Sequence, residues 1–449
     1  MFTHLRIRNL KSMADSGLLT LRPLTFLMGP NSSGKSTLIQ ALLLARQTVD
    51  SRDVGNPLVV DGKYVKLGSY QEFIHRHDRS KRLSLEFGMR SRQRLLLDPR
   101  TEVWVDSAVV SAEFYHNQKT SEIYSTEVTA KMPEAESAVS IRRISRENST
   151  ARIEFRGRSV ETKVPSSGKF YDVVKSPFPL EFTTRRFAEA GVDAQWRSAF
   201  RMLPFAATRL FESQFMGTFY LGPLRTSPQR TYVMAGETPQ DVGLQGEATS
   251  SILWAARWKK ALKQGVLQPA GAWLQRFGIA EGLELKRIGG SYFTLLLTDP
   301  TTKVTANFAD VGFGASQLLP AIVETLFAPE GSTVIMEQPE IHLHPAAQAV
   351  LGDLFLAAVT MGKQLIIETH SDHLVSRVMR RIGEGNFDRN RVALYYCNPT
   401  EAGTEVLNIE IDDFGQFGGG LPNGFFEQAY RESLAHVEAV AKRSSGDGE

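Results

Sequence analysis

Apolar and polar positions alternate through the opening of the chain, at Leu5, Ile7 and Leu10 and again at Leu19 and Leu21, and this predicts short strands around an Asp15-Ser16-Gly17 turn. The alternation then gives way to an unbroken run, Leu24-Thr25-Phe26-Leu27-Met28, predicting a strand buried on both faces, and Leu38 to Ala45 has helical composition. From about residue 80 to 215 the rhythm returns to period two in many short segments separated by turn residues. It predicts an inserted antiparallel β lobe, with a helix over Asp193 to Met216 bringing the chain back. Residues 248 to 277 read as helix, with Trp254, Trp258, Leu262 and Leu267 on the core side; residues 282 to 309 read as strands around Gly289-Gly290 and Pro300. Thr333 to Glu337, Pro345 to Val359 and Gln364 to His370 then give strand, helix, strand, which predicts an α/β fold with a mostly parallel core sheet. The expected division is 1–79 and 216–400 for the two parts of the main body, 80–215 for the lobe, and 401–449 for a tail whose last residues are disordered.

Between the buried strand and the first helix lies Gly29-Pro30-Asn31-Ser32-Ser33-Gly34-Lys35-Ser36-Thr37, which satisfies G-x-x-x-x-G-K-[ST] in the strand-loop-helix context that a P-loop requires. The glycines let successive N–H groups point into one concavity, and the helix start adds its partial positive charge, which suits a polyphosphate. Lys35 is expected to reach the outer phosphates and the Ser36 hydroxyl to ligate Mg²⁺.

Composition changes this picture little. The 449 residues carry 52 Lys and Arg against 49 Asp and Glu, a balance that does not by itself mark a nucleic-acid binder. The single cysteine, Cys397, can form no internal disulfide, and neither a secretory apolar segment nor a membrane-length apolar run is present, so a cytoplasmic protein without membrane contact is expected.

The C-terminal third adds chemistry to the P-loop. Glu337 ends an apolar strand where a Walker-B acid holds Mg²⁺, and His370 ends the next one, so both are expected on the sheet edge where open α/β sheets bind ligands. Gln71, one strand beyond the P-loop helix, is a candidate for Mg²⁺ and the attacking water, with a solvated turn glutamine as the alternative. Two basic groups, Arg76-Arg79-Lys81-Arg82 and Arg90-Arg92-Arg94, are either a footprint for DNA phosphates or a solvated surface. Arg225 and Arg230 are either phosphate or subunit contacts or structural ion pairs. His342, His344, His370 and His373 lie close in sequence but match no zinc spacing.

Taken together, Gly29 to Ser36, Asp310 to Gln317, Glu337-Gln338-Pro339-Glu340-Ile341-His342-Leu343-His344-Pro345 and Thr369 to Asp372 resemble the ABC-type ATPases related to RecF, SMC and the OLD proteins, over nearly the whole chain. The resemblance implies a head that dimerises around ATP and Mg²⁺ as a homodimer or an oligomer of dimers. Gly314, Ser316 and Gln317 then contact the γ-phosphate in trans, Glu340 to Pro345 form the D-loop, and His370 senses the γ-phosphate. Two departures stand out. Gln338 occupies the position where such ATPases commonly carry a catalytic glutamate, which leaves Glu340 and His370 as the other catalytic candidates beside Glu337. The segment after His370 holds no Asp-x-Asp, so the nuclease domain of OLD proteins is not expected. The short tail resembles nuclease-less ATPases of prokaryotic anti-phage defence, which implies control of a separately encoded effector, a nuclease. An ATP-gated scaffold with little turnover and a RecF-like DNA-repair head are the alternatives.

Overall fold

The computed structural model describes residues 1–53, 56–98, 101–119, 122–133, 136–143, 148–165, 206–234 and 236–418. The strands are β1 (Phe2–Leu10), β2 (Met13–Asp15), β3 (Leu19–Thr20), β4 (Leu24–Met28), β5 (Leu83–Asp98), β6 (Thr101–Asn117), β7 (Glu122–Met132), β8 (Ser137–Arg143), β9 (Asn148–Phe155) and β10 (Arg158–Pro165). After them come β11 (Thr218–Leu221), β12 (Tyr232–Val233), β13 (Gly282–Gly289), β14 (Tyr292–Thr298), β15 (Thr305–Asn307), β16 (Thr333–Glu337), β17 (Gln364–Glu368), β18 (Val392–Thr400) and β19 (Gly403–Ile409).

The core sheet has the order β11-β16-β17-β4-β18-β19 and is parallel except for β19, as the strand-helix alternation predicts. Its inner strands β4, β16 and β17 read as largely apolar runs because both faces are covered. Period two still sorts their side chains. Leu24, Phe26, Met28, Val334, Met336, Leu365 and Ile367 enter a core shared with the helices Phe313–Phe327, Pro345–Thr360 and Asp372–Gly383. Leu27, Ile335 and Ile366 enter the opposite core, with the P-loop helix Lys35–Asp50. Glu337 shares the parity of Ile335 and Glu368 that of Ile366. Both carboxylates therefore end their strands on the P-loop-helix face.

The predicted antiparallel lobe is present, and its strands continue a sheet that begins at the N-terminus: β10-β9-β8-β7-β6-β5-β1-β2, with β3 also on β1. Strands from 1–79 and from 80–215 are thus hydrogen-bonded neighbours, β1 pairing β5 from Phe2↔Met89 to Arg8↔Ser84. Of the helix expected over Asp193 to Met216, residues 206–216 are helical and 193–205 lie outside the described residues, as does the tail beyond 418. A third sheet, β12-β14-β13 with β15, matches the strands expected around Gly289-Gly290 and Pro300.

One expected core residue is not in the core. Trp254 is buried, but Trp258 is 72% exposed, because the helix Thr249–Ala256 ends two residues before it. Arg257, lying 5.5 Å and 5.6 Å from the two ring centroids, stacks against both indoles.

Helix Phe313–Phe327 carries a buried acid. Glu324 is wholly inside, accepts the Val242 N–H at 3.0 Å, and burial pushes its carboxyl up to about 8. The folded state then holds a proton that the unfolded chain releases from about pH 4.5, so stability falls as pH rises through this window. Lys363, pushed down to about 8 by burial, gives the opposite slope only above that pH. Glu324→Gln is expected to match the wild type near pH 4.5 and to be about 1–3 kcal/mol more stable at pH 8. Melting temperatures of both proteins at pH 5 and pH 8 check this; a gap that does not widen with pH would mean that Glu324 is ionised in the fold.

Candidate nucleotide site

The P-loop owes its shape to three left-handed residues. Gly29 has φ 139°, Ser32 61° and Gly34 93°. A β-carbon on Gly29 would collide with the Cys397 carbonyl oxygen, and one on Gly34 would lie 2.5 Å from Thr404 Oγ1. Only glycine allows both the turn and the close approach. Asn31 and Ser32 are exposed at the loop's crest, while Ser33 and Thr37 are buried behind it. Ser33 Oγ has no hydrogen-bond partner.

Lys35 is buried and folds back over the loop, its ammonium donating to Gly29 O at 3.0 Å and Pro30 O at 2.7 Å. Burial lowers its pKa, and Glu368, Glu337 and Glu340 act in the opposite sense. These neutral carbonyls can be exchanged for anionic phosphate oxygens, which bind an ammonium more strongly.

Beside the lysine, Ser36 donates to Glu368 Oε2 at 3.0 Å, and Glu368 stands in register with Glu337 on the neighbouring strand. The two carboxyls stand side by side at the ends of paired strands, and Tyr220 donates to Glu337 Oε1 at 2.6 Å. Burial pushes both glutamates up, and the opposite carboxylate pushes Glu368 further. Two carboxylates against the P-loop serine form a hard oxygen set that suits Mg²⁺, and a divalent charge would relieve their mutual repulsion. The residues present therefore fit a magnesium nucleotide. Among the described residues no group of three or more His, Cys, Asp or Glu could hold a metal, so this fit depends on phosphate oxygens completing the shell.

The strand expected to end in His370 ends at Glu368, two residues earlier. His370 lies in the following loop, half-buried, with an unpartnered Nε2; burial and then Lys35 lower its pKa. Its backbone N–H donates to Glu340 Oε1 at 2.7 Å, while Glu340 Oε2 is buried and without a partner. Gln338 takes a left-handed φ of 45° and donates its N–H to Glu368 O at 2.8 Å. Arg225 locks this turn, its guanidinium donating to Glu337 O at 3.1 Å, Gln338 O at 3.1 Å and Pro223 O at 2.9 Å. Arg225 is thus committed to backbone, and Arg230 to a bidentate pair with Asp310 at 2.6 Å and 2.9 Å.

Residues 312–317 form a second group. Gly312 caps the helix Phe313–Phe327, Ser316 and Gln317 are buried, and Ser316 donates to Phe313 O at 2.7 Å while Gln317 Nε2 has no partner. Gly314 lies against the turn that holds His342, where a β-carbon would be 3.2 Å from His342 O. Phe313 is 55% exposed and meets the His342 ring edge-on at 5.1 Å. His344 caps the next helix through Nδ1, and His373 is exposed beside Asp372.

Gln71 is exposed in a one-turn helix, its side-chain carbonyl accepting from Arg79 and its backbone carbonyl from His77. Of the basic groups, Arg82 pairs with Glu113, and the side chains of Arg92 and Arg94 lie outside the described residues. Motifs and their spacing do not single out Glu368, Tyr220 or a cavity of about 430 Å³ lined by Lys11, Ser12, His75, Arg76, Thr400 and Gly403, and the sequence offers Arg225 as a phosphate, subunit or ion-pair contact, not as a lock on backbone carbonyls. That cavity adjoins the P-loop: Lys11 donates to Gln40 of the P-loop helix at 2.8 Å, and Ser12 lies beside Gly34. Glu368 had a visible signal, since Gln364-Leu365-Ile366-Ile367-Glu368 repeats the pattern of Thr333-Val334-Ile335-Met336-Glu337, an apolar run closed by an acid.

No helix among the described residues is long and apolar enough to cross a membrane. A family model described as "AAA domain, putative AbiEii toxin, Type IV TA system" matches residues 24–376. No curated protein matches the chain. Among solved structures, it is similar to an Smc head bound to the C-winged helix domain of ScpA, at 12% identity over 92% of this chain and 98% of that one, with a TM-score of 0.44. It is also similar to the SMC head domain of Thermotoga maritima (11% identity, 91% and 99%, TM-score 0.37). A third is an Smc head domain with an extended coiled coil bound to the C-terminal domain of ScpA, from Pyrococcus furiosus (9% identity, 98% and 99%, TM-score 0.40).

Proposed function

The chain belongs to this AAA domain family, and on that premise we propose that it binds ATP with Mg²⁺, dimerises around it, and hydrolyses it slowly. The observation that carries the reading is the meeting of Ser36 with Glu368 and Glu337 at the mouth of the P-loop, an oxygen set placed for a nucleotide-bound cation. Asn31 to Thr37 cradle the phosphates, and Lys35 leaves its two carbonyls for the outer ones. Glu337 holds the cation with Ser36. Gln338, Glu340 and His370 surround the attacking water. When bound, Mg²⁺ neutralises the charge that develops on the transferred phosphoryl oxygens.

Dimerisation places Gly314, Ser316 and Gln317 over the nucleotide of the partner copy. The exposed Phe313 and His342 give that face an apolar edge beside the unpartnered Gln317 amide. Because Ser316 is buried, an arginine there would test the fold as much as the contact. Phe313→Arg is therefore the better probe. It is expected to abolish the mass shift that a poorly hydrolysed ATP analogue produces in light scattering, with nucleotide binding by the single subunit kept. An equal shift in both proteins would rule out the sandwich.

Closure of this dimer is the signal that controls a separately encoded effector, a nuclease, in prokaryotic anti-phage defence in the cytoplasm. The family description, a toxin of a toxin–antitoxin system, is in keeping with a chain whose action is set by a second gene product. Gln338 favours a second reading, an ATP-gated scaffold with little turnover, since an amide takes no proton from water.

A further inference from the structure

We propose that Glu368 is a positioning residue for the nucleotide-bound cation, acting through the Ser36 hydroxyl; this rests on the magnesium-nucleotide reading of the P-loop. A hydroxyl has one hydrogen and two acceptor lone pairs, and which of them faces a cation depends on where the hydrogen goes. Ser36 is the second residue of the P-loop helix, so no preceding helical turn offers its hydrogen a carbonyl. Ser36 instead donates to Glu368 Oε2 at 3.0 Å. With its hydrogen committed there, its lone pairs are the part left for a cation.

The strand order makes Glu368 suited to this. β17 lies between β4, which leads into the P-loop, and β16, which ends in Glu337, and it is paired in register with both: Glu368↔Leu27 on one side and Glu337↔Glu368 on the other. The parity of β17 turns Glu368 toward the P-loop helix. Its carboxyl therefore accepts from Ser36 of the P-loop helix and stands beside Glu337 of β16, between two groups that different elements place for the cation. Tyr220 holds Glu337 from the far side at 2.6 Å. Such partners of metal ligands, though they need not touch the metal, typically contribute about 10- to 100-fold in affinity.

The test measures cation binding, not turnover. Mn²⁺ affinity is followed by electron paramagnetic resonance in the complex with a poorly hydrolysed ATP analogue, and analogue affinity is measured separately in EDTA. Glu368→Ala is expected to weaken Mn²⁺ about 10- to 100-fold while leaving metal-free analogue binding within about twofold. Glu368→Gln keeps an acceptor for the Ser36 hydrogen and is expected to recover most of the loss. Wild-type Mn²⁺ affinity in Glu368→Ala would overturn the proposal, and so would equal weakening in both variants, which would assign the effect to charge and not to Ser36. Loss of metal-free binding in Glu368→Gln with an unchanged melting temperature would also overturn it. A wild-type chain that binds no analogue in either buffer would overturn the nucleotide reading, and this one with it.

Discussion

Lys35→Ala is expected to weaken ATP binding by about 10²- to 10⁴-fold and to remove turnover, with little change in melting temperature. The magnitude follows from two hydrogen bonds to a charged group at about 1.5–3 kcal/mol each, or about 3–6 kcal/mol together. The fold should survive because Lys35 makes no bond that bridges elements: its partners are Gly29 O and Pro30 O, within six residues of it. Its removal also deletes the one ammonium that offsets Glu337, Glu340 and Glu368 from the loop side. Isothermal titration with ATP in the presence of Mg²⁺ measures the effect, and a Kd within threefold of wild type would end the P-loop assignment.

The second large effect concerns the turn after β16. Glu337→Gln is expected to lower kcat by at least about 10²-fold, since it removes a charge from the cation's shell and leaves the Tyr220 hydroxyl facing an amide. Gln338→Glu should act in the other direction. A positioned general base is worth about 10² to 10⁴ in rate, and the amide supplies orientation without proton transfer. The exchange is isosteric, and the backbone there is held by Glu368 O on its N–H and by Arg225 on its carbonyl, so the new carboxylate would take the place of the amide. Phosphate release from wild type and the two variants tests both statements. If Gln338→Glu leaves the rate unchanged and Glu340→Gln eliminates it, the base is Glu340, whose Oε2 already lacks a partner.

The core sheet was legible because burial on both faces writes strands as apolar runs: Leu24 to Met28 and Thr333 to Glu337 could be read almost to their ends. The P-loop was legible because its glycines answer local requirements of backbone shape. Contacts between residues far apart in sequence were not. Nothing near Tyr220 or Arg225 in the chain announces that one will hold the Glu337 carboxyl and the other the carbonyls on either side of the same turn. Glu368 was hidden by a neighbour, because His370 drew the end of the strand two residues too far. Trp258 was misplaced for a related reason: its spacing from Trp254 fits a helical stripe, but the helix stops between them.

The far end of helix Phe313–Phe327 is where the helix is joined to the core sheet by a side chain. Lys363, just ahead of β17, donates to Leu326 O at 3.0 Å and also to Thr325 O, both in the last turn of that helix. Fifteen helical residues span about 22 Å, with Phe313 exposed against the His342 ring at one end, Pro320 within the buried middle and Lys363 hydrogen-bonded across the other end. The next residue along, Gln364, begins the strand that ends in Glu368, so one lysine side chain joins the end of this helix to the start of that strand.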